Sequence, residues 1–375
     1  MNIIIVVLCI LLVAVAVRNT ENMDILPSKS TYQRSCNNSM SKTLSYVINK
    51  NNMKKVANGG SVIMPCGYNN IKKEVNALHS LNPSDKIFIL SNSDNISSKN
   101  LLWKNLRDTY GLDKAKTMMP NTYILTDKKE MRRFLDEYNE STIYIMKKNI
   151  QRQKGLFITR DKNKILKGAK KQYVVVQELL QDPYLIDGRK INLRFYLLIL
   201  RQDKEMIAYV HNNGFMYYTV DKFVKNSTKD GPNITTGYID RKVYEENPLT
   251  HQDFRKYLDK PRPLTLAEKS IVNSGRLLSE EVFQRINDLI AEACIAVENK
   301  ITSQKKFQDR YTFQLFGVDI SISDKLKPMI MEINKGPDLS GKDERDLSVK
   351  HKVIEDMFKC IKVIDDKNNG FIKIL

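Results

Sequence analysis

Two strand-like runs joined by one short polar turn constrain this chain more than any other feature. The first is Phe316-Gly317-Val318-Asp319-Ile320 and the second is Met329-Ile330-Met331-Glu332-Ile333-Asn334-Lys335-Gly336-Pro337. Residues two apart on a strand share a face, so Glu332 and Asn334 project together, from a strand whose positions Ile330, Met331 and Ile333 are apolar. The turn Ser323–Pro328 folds that strand back beside the one carrying Asp319. Two carboxylates and an amide on one small surface are oxygen ligands suited to Mg²⁺ beside nucleotide phosphates, and poorly suited to zinc or copper. Acidic residues on a solvated hairpin face would look the same, and a second constellation upstream decides between the two.

That constellation follows the turn Asp187-Gly188. In Arg189-Lys190-Ile191-Asn192-Leu193-Arg194-Phe195 the alternation is strict, with Lys190, Asn192 and Arg194 on one face and Ile191, Leu193 and Phe195 on the other. Two cations on one strand face form a cradle for polyphosphate or for an anionic tetrahedral intermediate, and the guanidinium fork suits either. A solvated strand with paired surface charges makes no demand on the rest of the chain. The phosphate reading demands metal-binding carboxylates downstream, and they are present.

The run Val174–Leu180 followed by Pro183–Arg194 resembles the nucleotide hinge and following strand of tubulin-tyrosine-ligase-like proteins, amino-acid ligases with an ATP-grasp fold. Met119–Leu125 and the Gly317–Pro337 region resemble the same family in the same order, so the similarity runs from about Lys99 to Asp356. The resemblance implies an α/β (α+β) ATP-grasp architecture in a divergent member with an N-terminal hydrophobic segment. Its expected divisions are residues 1–17, a hydrophobic anchor or signal; 18–58, a polar tether; 59–98, a small N-terminal α/β subdomain; 99–178, a central subdomain; and 179–368, a C-terminal ATP- and Mg²⁺-binding subdomain.

The resemblance also assigns residues. Lys147 and, in the flap, Lys154 would face ATP phosphates. Gln177, Glu178, Leu179 and Leu180 would form the hinge whose backbone groups read adenine. Lys190 and Arg194 match family positions for catalysis, Lys190 and Asn192 for nucleotide contact, and Asp319, Glu332 and Asn334 for Mg²⁺. Asn192 stands where an acidic residue is usual, and Asn212 stands where an arginine near the acceptor is expected. Asn233-Ile234-Thr235-Thr236-Gly237-Tyr238 echoes the family only loosely. The implied chemistry is transfer of the ATP γ-phosphoryl group to a carboxylate, then attack on the acyl phosphate by the amine of a free amino acid. The acceptor would be an acidic protein such as a tubulin C-terminal tail. An ATP-grasp ligase with a non-tubulin acceptor, and a non-catalytic tethered binding module, stay open as alternatives.

Composition agrees with this. A net charge of +18 favours acidic partners. Zinc-finger spacing, aromatic-basic RNA-binding signatures and long arginine runs are missing, which sets nucleic acid aside. Cys9, Cys36, Cys66, Cys294 and Cys360 are odd in number and scattered, as expected of reduced thiols. Ile3–Val17 is an uninterrupted apolar run ended by Arg18. It reads as a short membrane anchor with a cytosolic body behind it, or, on Ala14-Val15-Ala16, as a cleaved signal leading to a lumenal fate. Further along, Leu266 to Lys300 has the spacing of one long helical region, and about Asp346 to Ile364 that of a tail helix.

Overall fold

A computed structural model of the chain describes residues 30–34, 40–67, 71–150, 155–202 and 205–375. Two sheets carry the architecture. The larger has twelve strands: β1 (Thr31–Gln33), β2 (Lys54–Val56), β3 (Val62–Ile63) and β4 (Lys86–Ile87) from the N-terminal part, and most of the strands after residue 180. The smaller is antiparallel, in the order β5 (Thr122–Ile124), β8 (Val175–Glu178), β6 (Tyr144–Lys147) and β7 (Leu156–Thr159). This is the mixed α/β fold that the sequence resemblance implied.

The long strands fix the centre. A short β9 (Leu185–Ile186) leads through the Asp187-Gly188 turn into β10 (Arg189–Gln202), which returns as β11 (Glu205–His211) and then β12 (Phe215–Thr219), itself edged by β13 (Thr235–Thr236). β14 (Tyr311–Ile322) lies antiparallel to β10 over ten residue pairs, from Asn192↔Ser321 to Arg201↔Thr312. Its other edge takes β15 (Pro328–Lys335) antiparallel, and near Tyr311 it runs parallel to β4. β16 (Phe371–Lys373) closes the sheet against β11. Ile191, Leu193, Leu197, Phe316, Val318 and Ile320 are fully buried on these strands, which is why their pairing register is fixed.

Several expectations needed correction. Within the segment read as a polar tether, β1, β2 and the helix Lys42–Lys50 are folded. Ser41 caps that helix by accepting the Leu44 N–H, Val47 and Ile48 are buried, and Tyr46 stacks on His351 of the C-terminal helix Glu344–Cys360. A few apolar positions at helical spacing suffice, and the surrounding Asn, Ser and Lys hid them. The region Leu266–Lys300 is two helices, Leu266–Val272 and Leu278–Ile295, because Gly275 adopts φ +79° between them. Cys66 is disulfide-bonded, so the reading of reduced thiols fails there, while Cys294 and Cys360 are free. Linear spacing carries no information on which sulfurs approach in space. No helix among the described residues is long and apolar enough to cross a membrane, and the apolar run 3–17 lies outside them.

Candidate active site

One row of side chains crosses three strands. Arg194 on β10 stands opposite Asp319 on β14, and Asp319 stands opposite Glu332 on β15. Alternation places Lys190 and Asn192 on the same face as Arg194, and Asn334 on the face of Glu332. All six line one cleft, together with Lys147 from the smaller sheet and Glu178 and Leu179 at its edge. Lys154 lies outside the described residues.

The row is tightly bonded. The Arg194 guanidinium donates Nε to Asp319 Oδ1 at 2.6 Å and Nη2 to Oδ2 at 3.0 Å. Gly317 makes room for it, since a Cβ there would sit 3.3 Å from Arg194 Cδ and 3.1 Å from the Pro337 ring. The guanidinium also lies 5.1 Å from the Tyr217 ring centroid. Glu332 accepts from Asn334 Nδ2 at 2.9 Å and pairs with Lys99 Nζ at 3.1 Å. Burial works against the Glu332 charge, yet Lys99, the Asn334 amide and Lys147 together outweigh it and hold the carboxyl at about 2. Asp319 moves the other way, raised by burial and by the Glu332 charge against the pull of Arg194. Burial pushes both Lys147 and Lys190 down to about 8, and for Lys147 the positive charges of Lys99 and Lys190 add to it.

The hinge residues divide. Glu178 and Leu179 reach the cleft, but their backbone N–H groups are committed to Asn121 O and Ile143 O. The Gln177 side chain is buried and donates to Thr122 Oγ1 at 2.7 Å. Neither Gln177 nor Leu180 lines the cleft. Strand pairing has therefore claimed the N–H groups of Glu178 and Leu179.

The donor and acceptor inventory fits a Mg²⁺-nucleotide. Asn192 Oδ1 and Asn233 Oδ1, both on cleft-lining residues, are buried acceptors with no partner among the described residues, as a ligand bearing hydroxyl or amino donors requires. Asp319, Glu332 and the Asn334 amide oxygen are hard donors of the type Mg²⁺ prefers. No group of three His, Cys, Asp or Glu side chains suited to a metal occurs among the described residues, and the row across the strands offers two carboxylates and one amide.

Sequence reasoning missed part of the site. Tyr217, Tyr238, Asp338, Lys342 and Lys350 also line the cleft, and Lys99 stands behind Glu332. Tyr217 follows from alternation on β12. Tyr238, Asp338 and Lys342 come from irregular loops and Lys99 from a helix start, where no period marks them, and Lys350 is a buried cation within the helix Glu344–Cys360. The Asn233–Tyr238 segment does form a cleft wall, whereas Asn212 sits in the exposed β11–β12 turn and is not part of the lining. The buried His211 bonds Asp356 at 3.1 Å and does not line this cleft.

A family model described as the tubulin-tyrosine ligase family matches residues 79–370. The chain belongs to that family. It is similar to the probable tubulin polyglutamylase ttll-9 of Caenorhabditis elegans, 25% identical over 305 residues that cover 76% of this chain and 70% of that one. It is 24% identical over 295 residues to the human tubulin polyglutamylase TTLL5, covering 76% of this chain and 22% of that protein. With the mouse tubulin monoglutamylase TTLL4 it shares 25% identity over 291 residues, 74% of this chain and 24% of the other. The chain thus spans about a quarter of the longer relatives it matches. Within the family's extent lie both sheets' site strands, so the row across β10, β14 and β15 is a feature of a ligase-family domain.

Proposed function

We propose that this chain is an ATP- and Mg²⁺-dependent ligase that joins an amino acid, glutamate first among the candidates, to a carboxylate of an acidic protein, with tubulin C-terminal tails as the leading acceptor. The observation that carries the reading is the Arg194–Asp319–Glu332 row lining one cleft with Lys190 of the same strand as Arg194 and Lys147 of the smaller sheet. Cations and hard oxygen donors gathered in one cleft match a polyphosphate bridged to a metal. The names of the relatives support glutamate and tubulin.

In this reading Asp319, Glu332 and Asn334 would hold Mg²⁺, which neutralises phosphate charge when bound. Lys147 and Lys190 bind the phosphates, and their burial keeps competing water away. Arg194 stabilises negative charge as the γ-phosphoryl group passes to the acceptor carboxylate. The amine of the incoming amino acid then attacks the acyl phosphate, forming an amide and releasing inorganic phosphate. No protein nucleophile takes part.

The test is intact-mass analysis of tubulin and of unrelated acidic proteins after incubation with ATP, Mg²⁺ and single amino acids. A mass gain of one or more glutamyl residues on tubulin, dependent on ATP, is the expected result. Gain on another protein alone would make this a ligase with a different acceptor. ATP binding without gain on any protein would favour the non-catalytic module, a reading supported by the protein cations that already engage both carboxylates.

A further inference from the structure

Lys99 is an improbable place for a buried cation. It is the first residue of the helix Lys99–Tyr110, where the helix dipole disfavours positive charge, and its side chain is only 7% exposed. A buried ammonium requires a counter-charge, and Glu332, at 3.1 Å, supplies it. The position is anchored twice more: the Lys99 N–H donates to Asn149 Oδ1 at 3.1 Å, and Lys335, at the end of the same strand, pairs with Asp94 at 2.6 Å just ahead of the helix. Geometry therefore delivers the Lys99 charge to the one carboxylate that β15 contributes to the row.

We infer that Lys99 is a built-in counter-cation that competes with the divalent ion for Glu332 and so sets how much metal the site needs before it loads. The inference rests on the metal reading above. Lys99 is a positioning residue in this scheme, acting through Glu332. A divalent ion arriving at Glu332 meets a like charge about 3 Å from its ligand, and at that range the repulsion is large in a partly buried site. In the absence of metal the same charge, felt at Lys147, adds to the positive potential that a phosphate meets in the cleft. Lys99 thus pulls the two affinities in opposite directions, which a residue that only supports the fold cannot do.

Calorimetry on the full chain separates these outcomes, using Mn²⁺ alone and ATP alone in chelator. Lys99→Met should bind Mn²⁺ at least tenfold more tightly than the unmodified chain and metal-free ATP several-fold more weakly. Lys99→Arg should restore both. Lys99→Gln, which keeps a donor for Glu332 without the charge, serves if the methionine variant loses its fold. Affinities that fall together, or that do not move, overturn the inference while leaving the metal reading intact. An unmodified chain that takes no divalent ion, with or without nucleotide, overturns both.

Discussion

Arg194 and Asp319 stand directly opposite one another on β10 and β14 and close a two-point ion pair while both are nearly buried. Such a pair contributes little net stability relative to apolar groups, because desolvating both ions offsets their attraction. Its loss on one side is another matter.

Arg194→Gln should leave the Asp319 carboxylate buried and uncompensated, lowering stability by about 3–5 kcal/mol. Mg²⁺ should recover more of the lost melting temperature in the variant than it adds to the unmodified chain, since a divalent ion can replace the missing charge. Thermal melts with and without Mg²⁺ check this. Equal melting of variant and unmodified chain would show that the pair is not what holds Asp319.

Glu332→Gln is nearly isosteric, and the glutamine oxygen can still accept from Asn334 Nδ2. Stability should fall because the buried Lys99 loses its counter-charge, while the fold persists and ATP-dependent ligation falls by at least about a hundredfold, the scale on which removing one preorganised charge acts. Product mass after timed incubation reports the loss, and undiminished ligation would remove Glu332 from the metal set.

How far this site was legible depends on periodicity. Lys190, Asn192 and Arg194 were readable because β10 alternates strictly, and Glu332 and Asn334 because β15 does. Their opposition to Asp319 followed from one short turn. Lys99 was not readable, because its role comes from a helix end brought to β15 across more than two hundred residues. The helix Lys42–Lys50 escaped notice since its buried Val47 and Ile48 sit in a polar composition. The break at Gly275 lies within an otherwise continuous apolar stripe. Hinge backbone groups were assigned by resemblance, and only strand pairing reveals that the N–H groups of Glu178 and Leu179 are already committed.

Lys147 and Lys190 predict a pH signature. Both titrate near 8 in the folded chain and at 10.5 when unperturbed, so from 8 to 10.5 the unfolded chain holds more protons and stability should rise with pH. The penalty for burying their charge is full below that window and gone above it. Polyphosphate should raise both values again, so nucleotide binding at pH 8 should take up about one proton in total, each lysine being half charged beforehand. Calorimetry in buffers of different ionisation enthalpy measures that uptake. Lys147→Met should roughly halve it, and binding with no uptake would place the phosphates elsewhere.

The N-terminal run offers a prediction that also addresses compartment. We propose that residues 3–17 hold the chain on a membrane with its body on the cytosolic side. Deleting the first 17 residues should then release the protein while leaving nucleotide affinity unchanged, because the site is built from strands far along the chain. The disulfide at Cys66 removes cysteine usage as support for a reducing compartment. Asn226 is exposed in a turn within Asn226-Ser227-Thr228, a glycosylation acceptor pattern, and therefore reports on the side of the membrane. Sugar at Asn226, or a mature chain starting near Val17, would put the body in a lumen and overturn the anchor.

The acceptor reading predicts a dependence on salt. A chain carrying +18 should attract an acidic tail peptide by long-range forces, which salt screens over about 8 Å at physiological ionic strength. Affinity for a glutamate-rich peptide should therefore fall steeply between low and physiological salt, while affinity for a neutral peptide of equal length stays weak throughout. Lys222→Glu with Lys225→Glu, both on exposed residues outside the cleft lining, should weaken acceptor binding several-fold and leave ATP binding unchanged. Fluorescence anisotropy with labelled peptides measures each of these. Equal binding of acidic and neutral peptides at low salt would mean that the basic surface selects nothing, and the acceptor would then have to be recognised inside the cleft, by Tyr217, Tyr238 and Lys342.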